Sequence, residues 1–238
     1  MPVGNFPQAT PFIYFKNIAN LTITALNIEG NGAIATPVLN TSDNGMFGIS
    51  AESCTNVLIQ NCNLTRQPKA GIFLENCTNS RILNNNIPEC CNYSIWVNNG
   101  VKTQIKGNTV SGQGIAQHAA TTLGQTPGIM VTKVNSVVVE KNNIDDFKNT
   151  GTKCEGCLYV TYDTNIVRNI GKDAIKIQPF LEIPTRFPKI VNNTVEYLRP
   201  WATDGSSCIE LNDCKDIVIQ TEPVVAIITF KGGIQMGV

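Results

Sequence analysis

Two triplets in the chain, Ile175-Lys176-Ile177 and Ile209-Glu210-Leu211, each place a charged residue between two aliphatic ones. Side chains alternate across a β-strand, so burying the aliphatic pair turns the charge between them outward. A lysine and a glutamate held side by side in this way are candidates for catalytic acid/base work, with Asp173, Glu182 or Arg186 near enough in sequence to assist. The plainer alternative is a surface ion pair of small energetic value. The same middle position, followed through every copy of the triplet, reads Tyr14, Ser50, Phe73, Trp96, Met130, Tyr159, Lys176 and Glu210. Small residues precede this column at Gly48, Gly71, Ser94 and Gly128. Polar ones follow it at Glu52, Glu75, Asn98, Thr132, Gln178 and Asn212.

The elements that must position this column repeat. Asn56-Val57-Leu58-Ile59-Gln60-Asn61-Cys62-Asn63-Leu64 returns as Asn79-Ser80-Arg81-Ile82-Leu83-Asn84-Asn85-Asn86-Ile87, and more loosely over Thr103–Val110. From Ile59 to Ile82 to Ile105 the step is 23 residues each time (82 − 59, 105 − 82). A fixed period of this size marks a stacked-repeat solenoid. Aligned copies centre on Ile23, Ile59, Ile82, Ile105, Val139, Ile166, Ile190 and Ile219, with a local period of two. A strand precedes each centre, the column's triplet being one, and a short third strand starts at Ile28, Leu64, Ile87, Val110, Ile144, Ile170 and Val195. Three strands per coil predict an all-β parallel β-helix of about eight coils and three sheets, a rod core of roughly 38 Å at ~4.8 Å per coil. Asn27, Asn63, Asn86, Asn143 and Asn169 stand just before the third strand. They are expected to take left-handed turn conformations and to stack as an asparagine ladder. Insertions at 30–47, 111–127, 145–156 and 178–188 fall around the column and could wall a groove.

The recurring Gly-Ile-x-Leu…Asn-x-x-Ile-x-Asn-Asn-x-Ile pattern, over roughly residues 12 to 220, resembles the right-handed parallel β-helix repeats of the pectate-lyase-like superfamily. The resemblance implies a right-handed coil. It also implies one of several activities: polysaccharide lyase, polygalacturonase-type hydrolase, epimerase, phage tailspike or adhesin. Polygalacturonases read Asn-Thr-Asp, Asp-Asp, Gly-His-Gly and Arg-Ile-Lys in chain order. Here only the fragments Thr203-Asp204-Gly205 and Gln104-Ile105-Lys106 occur, in the wrong order, and His118 sits in Ala-Gln-His-Ala. No catalytic residue transfers. Calcium is the cofactor the resemblance allows, without a recognisable site, and none is expected.

Two readings follow. In one, the column is the floor of a groove for a polysaccharide or cell-surface glycan. Tyr14, Phe73, Trp96, Met130 and Tyr159 contact apolar sugar faces, and Lys176, Glu210 and Asp173 supply lyase or hydrolase chemistry if there is any. In the other, the chain is a structural or adhesive module whose aromatic column faces other copies, as a homo-oligomer (a trimer) or in end-to-end stacks.

Charge excludes other classes. Eighteen basic residues balance eighteen acidic ones with no basic run, so no nucleic-acid partner is expected. No apolar run is long enough to span a bilayer, and the first residues do not read as a secretory signal. Nine cysteines cannot all pair. Cys54, Cys77 and Cys214 share one position, which Ile18, Gly100, Val134 and Asp163 take in other coils, so buried reduced thiols are expected. Such thiols suit assembly in a cytoplasm, as in a virion or phage component. A Cys54–Cys77 disulfide is the alternative. Cys154-x-x-Cys157 and Cys90-Cys91 lack the second nearby pair a zinc site wants, so no metal is expected. Residues 1–220 are read as the β-helix and the apolar segment 221–238 as a cap or docking piece.

Overall fold

A computed structural model describes residues 11–30, 47–67, 69–90, 93–112, 127–198, 207–220 and 228–231. Three parallel sheets run the length of the rod. The first has nine strands, the second eight and the third seven, and each strand pairs with its counterpart in the coils before and after. The chain thus winds through the sheets in turn, one strand in each per coil, as the repeat predicts.

The core is the inward half of the alternation. Ile49, Ile72, Ile95, Ile129, Ile175 and Ile209 stack in register in the first sheet, and Ile59, Ile82, Ile105 and Val139 in the second. All are buried. Each such side chain removed from water contributes about 1.5–3 kcal/mol.

One coil departs from the sequence reading. Leu158-Tyr159-Val160 is not a first-sheet strand. The first-sheet strand is Thr152–Glu155, paired with Ile129–Thr132 and Ile175–Gln178, whereas Leu158–Asp163 lies in the second sheet. Tyr162, not Ile166, therefore stacks between Val139 and Ile190, and Val167, not Ile170, continues the third sheet after Ile144. The 23-residue step holds through Ile129, Thr152 and Ile175, so 145–156 is no insertion. Thr152-Lys153-Cys154 lacks the aliphatic bracket that marks the other copies, which hides it from pattern reading.

The turns differ too. Asn27, Asn63, Asn86 and Asn143 do not take the left-handed conformation. In each coil that residue stands two places earlier, at Ala25, Asn61, Asn84 and Lys141 (φ 54°, 53°, 53° and 53°). Asn169 is left-handed (φ 54°) but lies inside Ile166–Ile170, and Ile166 pairs with Asn143 in its stead. Asn63 Nδ2 donates to Asn27 Oδ1 at 2.9 Å and Asn86 Nδ2 to Asn63 Oδ1 at 2.8 Å, on the exposed side.

A second asparagine file stands one residue before, buried at Asn85, Asn108, Asn142 and Asn165 and half-buried at Asn193. Asn108 is typical. Its Nδ2 donates to Asn142 Oδ1 (3.0 Å) and to the Ile82 carbonyl (3.0 Å), and its Oδ1 accepts from the Asn85 backbone N–H (2.9 Å). Each amide is thereby satisfied inside the core, as a buried polar group must be.

The segment Ile228–Lys231 pairs in parallel with Ile209–Asn212 as the ninth first-sheet strand, so that sheet continues past residue 220. The remainder of 221–238, most of the stretches 30–47 and 111–127, and Cys91, His118 and Asp204 lie outside the described residues. Among the described residues no helix is long and apolar enough to cross a membrane.

Candidate functional site: the outward face of the first sheet

Register places the outward column directly. Tyr14, Ser50, Phe73, Trp96, Met130, Lys153, Lys176 and Glu210 are partners on successive strands. Lys153 takes the place expected for Tyr159. A 23-residue step from Met130 to Lys153 and on to Lys176 was the signal for it. Tyr159 lies at the corner leading into the second sheet, exposed, with its ring stacked on Phe187.

The column divides into two halves. In the first, Phe47 stacks on Phe73 with ring centroids 4.5 Å apart, Phe73 meets Trp96 at 4.6 Å and Trp96 meets Tyr93 at 5.1 Å. Phe47 and Tyr93 precede the triplets, outside the column the alternation defines, and were not anticipated. Lys69 Nζ stands 5.2 Å from the Phe47 ring centre, within cation–π range.

The second half is ionic and buried. Lys176 Nζ is 3.0 Å from Glu210 Oε1 and 3.7 Å from Asp173 Oδ2, and the three predicted catalytic residues are therefore together. Their side chains are only 7 %, 2 % and 0 % exposed, which removes the reading as a surface pair. Lys153 Nζ meets Glu155 Oε1 at 2.5 Å, and Gln178 Nε2 donates to the same oxygen at 2.7 Å. Glu182 and Arg186 belong to the 179–188 loop, where the Arg186 backbone bridges to Leu158.

Electrostatics separate the two acids. Burial, and then the neighbouring Glu210 charge, raise the Asp173 carboxyl to about 6, with Lys176 opposing. Burial also pushes Glu210 up, but hydrogen bonds from Asn212 (2.9 Å) and Lys176 outweigh it and leave that carboxyl at about 2. The two carboxyls share the Lys176 ammonium, at 3.7 and 3.0 Å. Asp173 is thus the partner that keeps a proton, and Glu210 the carboxylate.

Beside the column runs a row of partly exposed polar groups. Glu52 accepts from the Tyr14 hydroxyl and pairs with Lys16 at 2.7 Å, and Asn98 Nδ2 donates to Glu75 Oε1 at 3.1 Å. Among the described residues, Trp96 Nε1, Thr132 Oγ1 and Asn212 Oδ1 are buried atoms on this face without a hydrogen-bond partner. Orphaned polar atoms are few in folded proteins, and a face that collects three is short of partners that water or a ligand could supply.

The aromatic residues differ in exposure. Tyr14 is 49 % exposed and Trp96 half-buried, whereas Phe73 (9 %) and Met130 (8 %) are nearly covered.

The cysteines hold no ligand set. Cys54, Cys77, Cys157 and Cys214 occupy one column, Cys157 standing where Asp163 was expected. Their thiols are free and donate to backbone carbonyls, as Cys77 does to Ala51 O at 3.4 Å. Burial pushes Cys77 up to about 11 and Cys214 to about 12, so these thiols are poor nucleophiles. Among the described residues no group of three or more His, Cys, Asp or Glu side chains could hold a metal ion.

A three-sheet parallel coil of this period, with an outward strip of stacked aromatics and buried ions, defines a class. The chain matches the family model of the right-handed β-helix region over residues 8–126 and 48–215, and it belongs to that family. Among solved structures it is similar to a double mutant of the periplasmic alginate epimerase AlgG, with a TM-score of 0.58 and 11% identity over 94% of this chain and 47% of that one. The exopolygalacturonase of Thermotoga maritima gives 0.56 and 11% over 96% and 72%. The Dettilon tailspike protein gives 0.54 and 14% over 77% and 44%. The chain spans about half the length of the epimerase. These likenesses are of fold. No curated protein matches the chain in sequence.

Proposed function

We propose that the chain binds a polysaccharide along the outward face of its first sheet. One observation carries the reading: a strip of stacked rings, from the buried Phe47 and Phe73 to the half-buried Trp96 and Tyr93, runs across the strands from coil to coil and continues past Met130 to a cluster of lysines and acids. Sugar rings have apolar faces and hydroxyl edges, and this strip offers both kinds of contact in sequence. Covering of Phe73 and Met130 moves the contact surface outward to Tyr14, Trp96 and the row of Glu52, Glu75, Asn98 and Gln178. The fold relatives support the same class, since an alginate epimerase and an exopolygalacturonase are named for polysaccharides.

Geometry separates the bond-breaking chemistries. Glycoside hydrolysis needs two carboxyls about 5–9.5 Å apart, leaving room for the sugar or a water. Asp173 and Glu210 both pack on Lys176 Nζ, at 3.7 and 3.0 Å, with side chains 0 % and 2 % exposed, so neither stands open to a sugar or a water. Elimination is the bond-breaking reading that remains, and because Lys153 and Lys176 are nearly buried and paired with Glu155 and Glu210, their charge reaches an acidic sugar's carboxylate only where the ligand displaces those pairs.

A glycan array followed by assays for new reducing ends and for unsaturated uronates tests this. Binding with unsaturated products, or binding without products, agrees with it. New reducing ends without unsaturation remove the elimination reading, and no glycan binding removes the proposal. The second reading, a structural or adhesive module, rests on the exposed Phe12, Tyr14 and Ile18 of the first coil, and predicts self-association that Tyr14→Ser weakens.

A further inference from the structure

The corner between the first and second sheets carries one residue per coil in the same strained conformation. In chain order these are Asn20, Asn56, Asn79, Lys102, Ser136, Tyr159, Phe187 and Asp216, with φ between 51° and 69° throughout. Strand and bridge register put each beside the next. Asparagine tolerates this left-handed region well, and the first three use it: Asn56 Nδ2 donates to Asn20 Oδ1 at 2.8 Å and Asn79 Nδ2 to Asn56 Oδ1 at 2.7 Å. A bulky aromatic there is an outlier. Two stand in succession, Tyr159 and Phe187.

Burial offsets little of that strain. Tyr159 is 56 % exposed and Phe187 42 %. Their rings stack on each other, centroids 5.0 Å apart and planes within 9°. The 179–188 loop holds the second ring in place: Arg186 N–H donates to Cys157 O at 3.0 Å and Tyr159 N–H to Arg186 O at 3.1 Å. A strained, exposed and rigidly mounted pair of parallel rings points to a ligand rather than to packing.

The flanks say which kind. Next to the outer face of Tyr159 is Ser136, too small to cover it, and the coil beyond carries exposed Lys102. Two coil spacings, ~9.6 Å, separate Lys102 from Tyr159. Register thus leaves the small Ser136 between Tyr159 and Lys102, and one coil spacing, ~4.8 Å, beside the outer face of Tyr159 is the distance at which a flat ring stacks. Asp216 flanks Phe187 on the far side. An aromatic wall flanked by a serine and a lysine matches a sugar ring better than the apolar surface of a second copy.

We infer that Tyr159 and Phe187 form a second carbohydrate contact site, on the corner away from the first-sheet face, where a pyranose ring stacks on Tyr159 above Ser136. This goes beyond the groove proposal and does not depend on it.

The test compares wild type, Tyr159→Asn/Phe187→Asn and Trp96→Ala by affinity electrophoresis. The gels are cast with alginate, polygalacturonate or a neutral β-glucan, alongside thermal melts and light scattering. Asparagine suits the left-handed backbone, so the double variant is expected to melt no lower than wild type and to lose at least fivefold in retardation by at least one polysaccharide. Unchanged retardation in all three gels, or a melting point several degrees lower, overturns the inference, as does retardation of wild type by none of them. A wild-type dimer that the double variant dissolves, without loss of retardation, assigns the pair to self-association and also overturns it. Loss in Trp96→Ala alone leaves the first-sheet proposal standing and removes this one; loss in the double variant alone does the reverse.

Discussion

Lys176 Nζ lies 3.0 Å from Glu210 Oε1, on an outward sheet face, with both side chains almost wholly withdrawn from water. A buried ion pair is weak evidence for stability, because desolvating two charges costs about as much as their attraction returns. Removing one partner is another matter. Lys176→Met leaves Glu210 charged, buried and without its cation, and is expected to cost about 3–5 kcal/mol in urea denaturation. The double variant Lys176→Met/Glu210→Leu should recover much of that loss.

The Asp173–Glu210 pair imposes a pH profile. Asp173 has its carboxyl raised to about 6, above an unfolded value of about 3.9, so the folded chain holds the extra proton between those limits and stability falls as pH rises through them. Glu210 is depressed to about 2 against about 4.3 unfolded, so its contribution is present above the unfolded value and is lost as pH falls toward 2. Together they predict a stability maximum near pH 4–5. Asparagine mimics the protonated Asp173. In Asp173→Asn the decline between about pH 4 and 6 should disappear while the acid-side loss remains, as read from melting temperatures across pH.

The buried asparagine file should matter more than the exposed one. Asn108→Leu orphans the Asn85 N–H and the Ile82 carbonyl, at roughly 2–4 kcal/mol. Asn86→Ser, on the solvent side, should cost under about 1 kcal/mol. Chemical denaturation of the two variants makes the comparison.

Gly151 is one of the positions where neighbouring coils approach closely. A Cβ there would lie 2.5 Å from Val167 Cγ1 and 2.7 Å from the Ala174 carbonyl oxygen. Gly151→Ala should therefore destabilise by about 1–3 kcal/mol, measured the same way.

Much of this was legible in the sequence, and particular residues show why. The 23-residue step between Ile59, Ile82 and Ile105 determines the winding, because stacked coils must repeat their inward aliphatics. Lys176 and Glu210 were placed side by side by the same logic. The reading failed where a coil abandons the aliphatic code: Thr152-Lys153-Cys154 forms a first-sheet strand, and Tyr162 fills an aliphatic rung with its hydroxyl accepting from Thr152 Oγ1 at 3.3 Å. Tyr159 was misplaced in consequence. Asn85 and Asn86 are adjacent and identical in type, and only the packing tells that one is buried and the other exposed. Nor does alternation reveal what covers an outward residue, and so it left the covering of Phe73 open and did not foresee the burial of Lys176.

The most direct test of the central claim is calorimetric titration of the chain with polysaccharides that its glycan-array profile selects, wild type against Trp96→Ala. The account predicts measurable binding by wild type and at least a tenfold weaker affinity in the variant, with the fold retained by circular dichroism. Equal affinity in the two proteins, or no glycan bound by wild type, would contradict it.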